Sequence, residues 1–279
     1  ENIDYEALKK QGDDCFRAKE YQGAIDKYIE IISTRTSPGA NIYQNLALSC
    51  KKVGDWINVE KYANQALKID TKYIKCYKLR GEAKIELNKI NEGPDSVTEM
   101  EEGMEDIKTA HRLTVGQDKT GFNRDIEHSL RVAKKIKYYK DKAIEKIQKS
   151  ELKAFLKGPI EQNSSTKVDS DRLLASLDSL LNDEVEEEEK EIPEFLTCPV
   201  SLDIMINPKL LSSGHTYEKD ELTKHFNKNG HKDPLTNQVV KEHMVDNINL
   251  RQAIEDYLDK NPWSYKYDKN DNYDNILFD

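Results

Sequence analysis

Apolar residues recur mainly three and four positions apart along this chain, which predicts a mostly helical protein. Near the amino end the pattern repeats. Gly12, Ala47 and Gly81 stand 35 and 34 residues apart, and four positions before each lies a large apolar side chain, Leu8, Tyr43 or Tyr77. Tyr21, Ala24, Tyr28 and Ile31 follow the first, and Trp56, Val59, Ala63 and Ala66 follow the second. A period of about 34 residues held in one phase predicts stacked helix pairs, in which small residues admit close helix approach and large ones fill the groove. The third unit is irregular. It reads as a helix from Thr71 to Leu87, an inserted loop from Asn88 to Thr98, and a second helix resuming near Met100. A turn-rich break is expected at 116–123.

From Asn123 to about Lys157 one long amphipathic helix is expected, its stripe formed by Ile126, Leu130, Ala133, Ile136, Tyr139, Ala143 and Ile147. Arg131, Lys134, Lys135, Lys137, Lys140, Lys142, Lys146 and Lys149 fall on its other faces. They read as the solvated side of a helix packed on the repeats rather than as a lipid or nucleic-acid patch. Gly158-Pro159 is expected to stop this helix, with a polar linker at Gln162–Lys167. Leu173, Leu174, Leu177, Leu180 and Leu181 then form a narrow seam on a second, short helix. The seam needs a partner, either the long helix or the same segment of a second chain. Asp183–Glu191 holds seven acidic residues in nine positions and reads as a solvated hinge.

Texture changes at Ile192. Lys209–Ser212 and Thr216-Tyr217 read as two strands joined at Ser213-Gly214-His215. Lys219–Asn229 reads as a helix with Leu222 and Phe226 inward, Gln238–Val240 as a third strand, and Asn249–Asp259 as a last helix. The tail Ser264–Asp279 reads as disordered.

Composition narrows the function. The 279 residues are 37% apolar and 34% charged, with a net charge of −9. That suits a repeat array with solvated connections better than one large core, and it argues against a nucleic-acid binder. No apolar run is long enough to span a membrane. The opening residues do not read as a signal peptide; because the sequence starts at Glu1 rather than Met, a targeting segment ahead of it stays open. Cys15, Cys50, Cys76 and Cys198 are scattered, so a reducing, cytoplasmic setting is expected, with the nucleus as a second. Cys198, His215, His225, His231 and His243 lack the paired thiolates of a structural zinc site, and no metal is expected.

The 34-residue pattern resembles the tetratricopeptide (TPR) repeat, and residues 1–118 are taken as three such repeats. TPR arrays bind extended peptides on their concave face. One subgroup captures the terminal carboxylate of acidic heat-shock chaperone tails. Matched onto that subgroup, Lys9, Asn45 and Lys75 are the expected clamp residues. Asp13 and Leu79 stand where the subgroup has Asn and Arg, with Arg80 one residue further on. Asp13 would repel a bound carboxylate unless a cation neutralises it, and Leu79 would offer an apolar contact instead.

Ile192-Pro193, Cys198-Pro199-Val200, Met205 to Pro208, Gly214-His215-Thr216-Tyr217, Asp233-Pro234-Leu235-Thr236 and Asn247 occur in the order of a U-box. This domain resembles a RING finger with hydrogen bonds in place of zinc. The whole chain, including Ser129-Leu130-Arg131-Val132-Ala133-Lys134-Lys135 at the join, resembles the family of chaperone-associated TPR plus U-box ubiquitin ligases. The resemblance implies a mainly α protein with TPR repeats, a helical middle region at 119–191 with dimerisation as one role, a small α+β U-box at 192–263, and a homodimer. It implies ubiquitin transfer to misfolded clients by positioning a charged conjugating enzyme, with no catalytic side chain, no covalent intermediate and no cofactor. The implied docking residues are Val200, Leu202, Met205, His225, Pro234 and Asn237; related ligases carry Arg at the last of these. Two alternatives stand beside this reading: a scaffold that transfers nothing, and a ligase with a different TPR ligand.

Overall fold

The computed structural model describes residues 5–34, 37–89, 91, 95–114, 120–163, 167–181, 191–241 and 243–267. The chain divides into two compact units, Glu1–Lys137 and Tyr138–Asp279.

The first unit contains three helix pairs: α1 (Tyr5–Arg17) with α2 (Tyr21–Thr34), α3 (Ala40–Val53) with α4 (Trp56–Ile69), and α5 (Ile74–Asn88) with α6 (Ser96–Thr114). Their shared core holds Leu8, Ala24, Tyr28, Ile31, Leu46, Ala47, Val59, Ala63, Ala66, Leu79 and Ala83. The small residues of the repeat act as expected. A Cβ at Gly12 would fall 2.8 Å from the Tyr28 ring, and one at Gly81 would run into the Gly103 carbonyl oxygen and the Ile107 side chain. So α5 and α6 cross backbone to backbone, which only glycine permits.

Two boundaries of the third pair differ from the sequence pattern. Residues 71–73 form a turn rather than a helix start, because the Asp70 carboxylate accepts from the Lys72 amide. At the other end, α6 already begins at Ser96, inside the expected loop, with the Asp95 carbonyl accepting from the Glu99 amide. The remainder of that loop at residues 90 and 92–94 lies outside the described residues.

Helix α7 (Thr120–Asn163) starts within the expected break, of which 115–119 are outside the described residues. It also runs through Gly158-Pro159. Pro159 removes a single backbone donor near the end of a 44-residue helix, too little to terminate it there. The start of α7 belongs to the first unit. Ser129 donates to Glu82 at 2.7 Å, Lys78 pairs with Asp125 at 2.9 Å, and Lys137 pairs with Glu101 at 3.4 Å. Ile126, Ala133 and Ile136 are buried as expected, but so are Arg131, Lys135 and Lys140, which the periodicity placed on solvated faces. Long basic side chains lay their methylenes along neighbouring surface, so burial extends beyond the apolar stripe.

In the second unit, α8 (Lys167–Leu181) carries the leucine seam, and Lys153 of α7 pairs with Asp178 of α8 at 2.7 Å. Of the expected linker, Gln162 and Asn163 end α7, Lys167 opens α8, and 164–166 lie outside the described residues, as do 182–190 of the acidic run. The small domain follows. Strands β1 (Pro208–Leu210), β2 (Thr216–Glu218) and β3 (Val245–Asp246) form an antiparallel sheet in the order β2-β1-β3. Helices α9 (Lys219–Asn229) and α10 (Ile248–Lys260) complete it. The expected strand at Gln238–Val240 is not one; Val239 makes a single bridge to Lys232 inside a loop. The sheet takes Val245–Asp246 instead, where Asp246 meets Lys209 across the strands at 2.6 Å. Asn247 ties the parts together. It caps α10 by accepting from the Leu250 amide, and its amide donates to Thr216 Oγ1. The tail expectation also changes: Pro262–Tyr267 forms a 3-10 turn with Ser264 and Tyr265 buried, Tyr265 packing on the domain core and near Tyr138. Residues 268–279 lie outside the described residues.

Gly81→Ala is expected to lower the stability of the first unit by about 1–3 kcal/mol through overpacking. Gly158→Ala, whose Cβ meets nothing within 4 Å, should not. Thermal melts followed by circular dichroism would check both.

Candidate functional site

Two surfaces collect the sequence-derived site residues, one in each unit. In the first, α1 and α3 bring Lys9, Asp13 and Asn45 together. Asp13 Oδ1 accepts from the Tyr28 hydroxyl at 2.6 Å and from the Asn45 amide at 3.1 Å, and Lys9 lies 3.8 Å from Asp13 Oδ2. Burial, followed by the bond to Asp13, pushes the Tyr28 hydroxyl well above the ordinary tyrosine range, so it stays a donor. Lys75 is exposed on α5, beside a cleft of about 600 Å3 lined by Lys72, Tyr73, Ile74, Lys75 and Phe122.

The other two residues of the expected clamp are elsewhere. Leu79 is buried in the repeat core and has no surface to offer a peptide. Arg80 turns toward the second helices of the pairs. Its guanidinium makes two 2.6 Å bonds to Asp106 of α6 and one of 2.9 Å to Asn64 of α4, and it lies over the Tyr77 ring. Adjacent helical positions are about 100° apart, so Arg80 cannot substitute for a residue at position 79. Tyr28 and Phe122 were missed. Both carry aromatic signals in the sequence, but Tyr28 was assigned to packing and Phe122 to the break.

In the second unit, two loops carry the apolar residues, and both are pegged to β2. Glu218 Oε2 accepts from the amides of Ile206 and Asn207, while its own amide donates to Cys198 Sγ. This fixes loop 197–207. One residue earlier, Tyr217 donates to Asp233 at 2.8 Å. Asp233 is fully buried and also accepts from Ser213 and from the amides of Leu235 and Thr236, with His215 Nδ1 at 3.0 Å. This fixes loop 230–240. Burial alone would raise the Asp233 carboxyl, but hydrogen bonds from Ser213, the Thr236 amide, Tyr217 and His215 outweigh it and hold the group far below the usual carboxylate range.

The pegged loops hold apolar side chains in solvent. Val200 is 44% exposed, Leu202 77% and Leu235 58%. Leu202 also adopts φ +62°, a left-handed conformation that a bulky side chain rarely takes. Its amide bonds the Cys198 carbonyl at 2.8 Å, closing the turn that points it outward. Pro234 is half-buried, and Asn237 is exposed with φ +57°, which Asn tolerates. One expected docking residue is not available at the surface. Met205 is 2% exposed and belongs to the core, because its amide bonds the Leu196 carbonyl and turns the side chain inward. His225 is half-buried, with Nδ1 beside the Asn229 amide and Nε2 enclosed. Leu235 was missed, although it adjoins Pro234 in a turn where neighbouring residues face different ways.

The first unit thus carries a cleft beside Lys75, and the self-braced small domain displays Val200, Leu202 and Leu235, with Leu202 at a positive φ. Residues 192–263 match the U-box domain family. The chain is 27% identical over 277 residues to the E3 ubiquitin-protein ligase CHIP of Arabidopsis thaliana, covering 94% of this chain and 95% of that one. It is 41% identical over 73 residues to the U-box domain-containing protein 56 of Arabidopsis thaliana, covering 26% of this chain and 20% of that one. It is also similar to the solved Arabidopsis OM64 TPR domain, with 24% identity, a TM-score of 0.38, and coverage of 46% of this chain and 93% of that one. The chain is therefore CHIP-like, a helical-repeat array followed by a U-box domain, and a ubiquitin-protein ligase, a transferase.

The depressed carboxyl of Asp233 sets an acid limit on the U-box. Its contribution is complete above the unfolded-state value near pH 4 and is lost as pH falls from there toward the folded-state value. Asp233→Asn should lower stability at neutral pH by about 3–5 kcal/mol, the range for breaking a buried charged network, and flatten the acid dependence below about pH 4. Thermal melts across pH would check this.

Proposed function

We propose that this ligase recruits a ubiquitin-conjugating enzyme through Val200, Leu202, Pro234 and Leu235, and holds its ubiquitin thioester for attack by client lysines. The observation that carries the reading is Leu202, exposed and held at φ +62° by a turn that Cys198 closes. Backbone strain beneath an exposed leucine is unfavourable for an isolated domain, and it persists where a partner uses it. Rate acceleration comes from positioning, so the domain needs no acid, base or nucleophile of its own.

The repeat unit supplies the cargo. The reading is that its groove binds the acidic tail of heat-shock chaperones and so brings misfolded clients to the U-box in the cytoplasm and nucleus. Exposed Lys75 and the neighbouring cleft with Lys72, Tyr73 and Phe122 offer cations and an apolar wall suited to an acidic peptide. Exposed Val168, Leu173 and Leu180 on α8 suit a homodimer built on the leucine seam.

A scaffold that transfers nothing is the second reading, favoured by Asn237. Asn has less reach than Arg and no charge with which to bridge the conjugating enzyme and its ubiquitin.

Autoubiquitination with a panel of conjugating enzymes separates the two. Leu202→Ala is expected to reduce chain formation at least about tenfold, the loss of an interface anchor, without lowering the melting temperature. Asn237→Arg should raise it. Chain formation that ignores Leu202→Ala would remove the docking surface, and absence of chains with every enzyme would favour the scaffold. Light scattering should give twice the chain mass, and Leu173→Glu with Leu180→Glu should halve it.

A further inference from the structure

The expected carboxylate clamp contains a carboxylate of its own. Asp13 takes the Asn45 amide and the Tyr28 hydroxyl on one oxygen and faces Lys9 with the other. Lys9 and Asn45 are the groups expected to receive a ligand's terminal carboxylate, and both are already turned to Asp13. A second carboxylate brought there would meet the Asp13 carboxyl oxygens at short range and would have to break an existing bond to gain one. Lys75 differs: among the described residues it has no recorded hydrogen bond or ion pair, it is exposed, and it borders the cleft shared with Lys72, Tyr73 and Phe122. The lining of that cleft does not include Lys9, Asp13 or Asn45.

We propose that Asp13 fills the terminal-carboxylate half of the groove from within, so that this chain holds an acidic peptide through Lys75 and the adjoining cleft, whether or not the peptide's C-terminus is free. The ligand is then a segment with a carboxylate side chain for Lys75 or Lys72 and an apolar side chain for the wall formed by Tyr73 and Phe122. An internal acidic segment qualifies as well as a chain end does. This rests on the peptide-binding role proposed above and changes what the groove reads in the peptide.

The test is calorimetric titration of the full chain with an acidic peptide ending in -EEVD, as the free acid and as the C-terminal amide. The wild-type chain should bind both forms within about threefold, less than the tenfold or more expected for one charge-assisted hydrogen bond. Lys75→Ala should weaken both forms by about tenfold or more. Asp13→Asn keeps an oxygen for Tyr28 and adds donors, so it should tighten the free acid by about tenfold and leave the amide unchanged. A wild-type chain that loses tenfold or more on amidation, or that binds unchanged with Lys75→Ala, overturns the proposal and leaves the chaperone reading standing. Failure of both peptide forms to bind wild type and Asp13→Asn overturns both. The acid and amide comparison on the wild-type chain needs no variant to fold.

Discussion

Asp233 keeps a negative charge with almost no exposed surface, and the small domain is arranged to make that bearable. Donors reach it from the β1–β2 turn, from β2 and from its own loop. A buried carboxylate left with fewer partners is strongly unfavourable, so this network either forms whole or gives way. Formed whole, it rigidifies a loop with little apolar cover. Glu218 does the same for the other loop through the amides of Ile206 and Asn207. Because the two anchors are Tyr217 and Glu218, neighbours on one short strand, both loops take their position from β2. The domain can then leave Val200, Leu202 and Leu235 in water, since its cohesion does not depend on burying them.

The repeat unit follows a different rule. There, cohesion comes from apolar packing with glycine at the closest crossings, and polar groups pair across the helix surfaces. Glu82 collects Lys51, Lys78 and Ser129, which joins the start of α7 to the repeats. Burial would raise the Glu82 carboxyl, but the two lysines lower it, so it stays charged and paired. Asp13 is the contrasting case. It stays outside the core and holds the Tyr28 hydroxyl, the Asn45 amide and Lys9 on its two oxygens.

Much of the fold was legible. Repeat phase located three helix pairs through Gly12, Ala47 and Gly81, because close packing of long helices leaves a strict period. Helix α9 was legible from Leu222 and Phe226 one turn apart, and the β1–β2 hairpin from the turn at Ser213-Gly214-His215. What failed was local and short. The pair Val245–Asp246 has no period, and its strand exists because β1 offers an edge. Pro159 marks a break in most short helices, yet α7 is long enough to absorb it. Site residues divided similarly. The motif included Met205, which is turned inward, and passed over Leu235, which is turned out.

The amino-acid order was enough to set the architecture, because periodicity and ordered turn motifs are properties of the chain read along one dimension. It also supplied the residues from which a docking surface is proposed. The tertiary structure decided orientation and pairing. It sent Leu79 into the core and Arg80 to Asp106, turned Asn45 and Tyr28 onto Asp13, and held Leu202 outward at a positive φ. These outcomes depend on which donor meets which acceptor across tens of residues, and on which face of a turn stays uncovered. Neither is written in the spacing of neighbours along the chain.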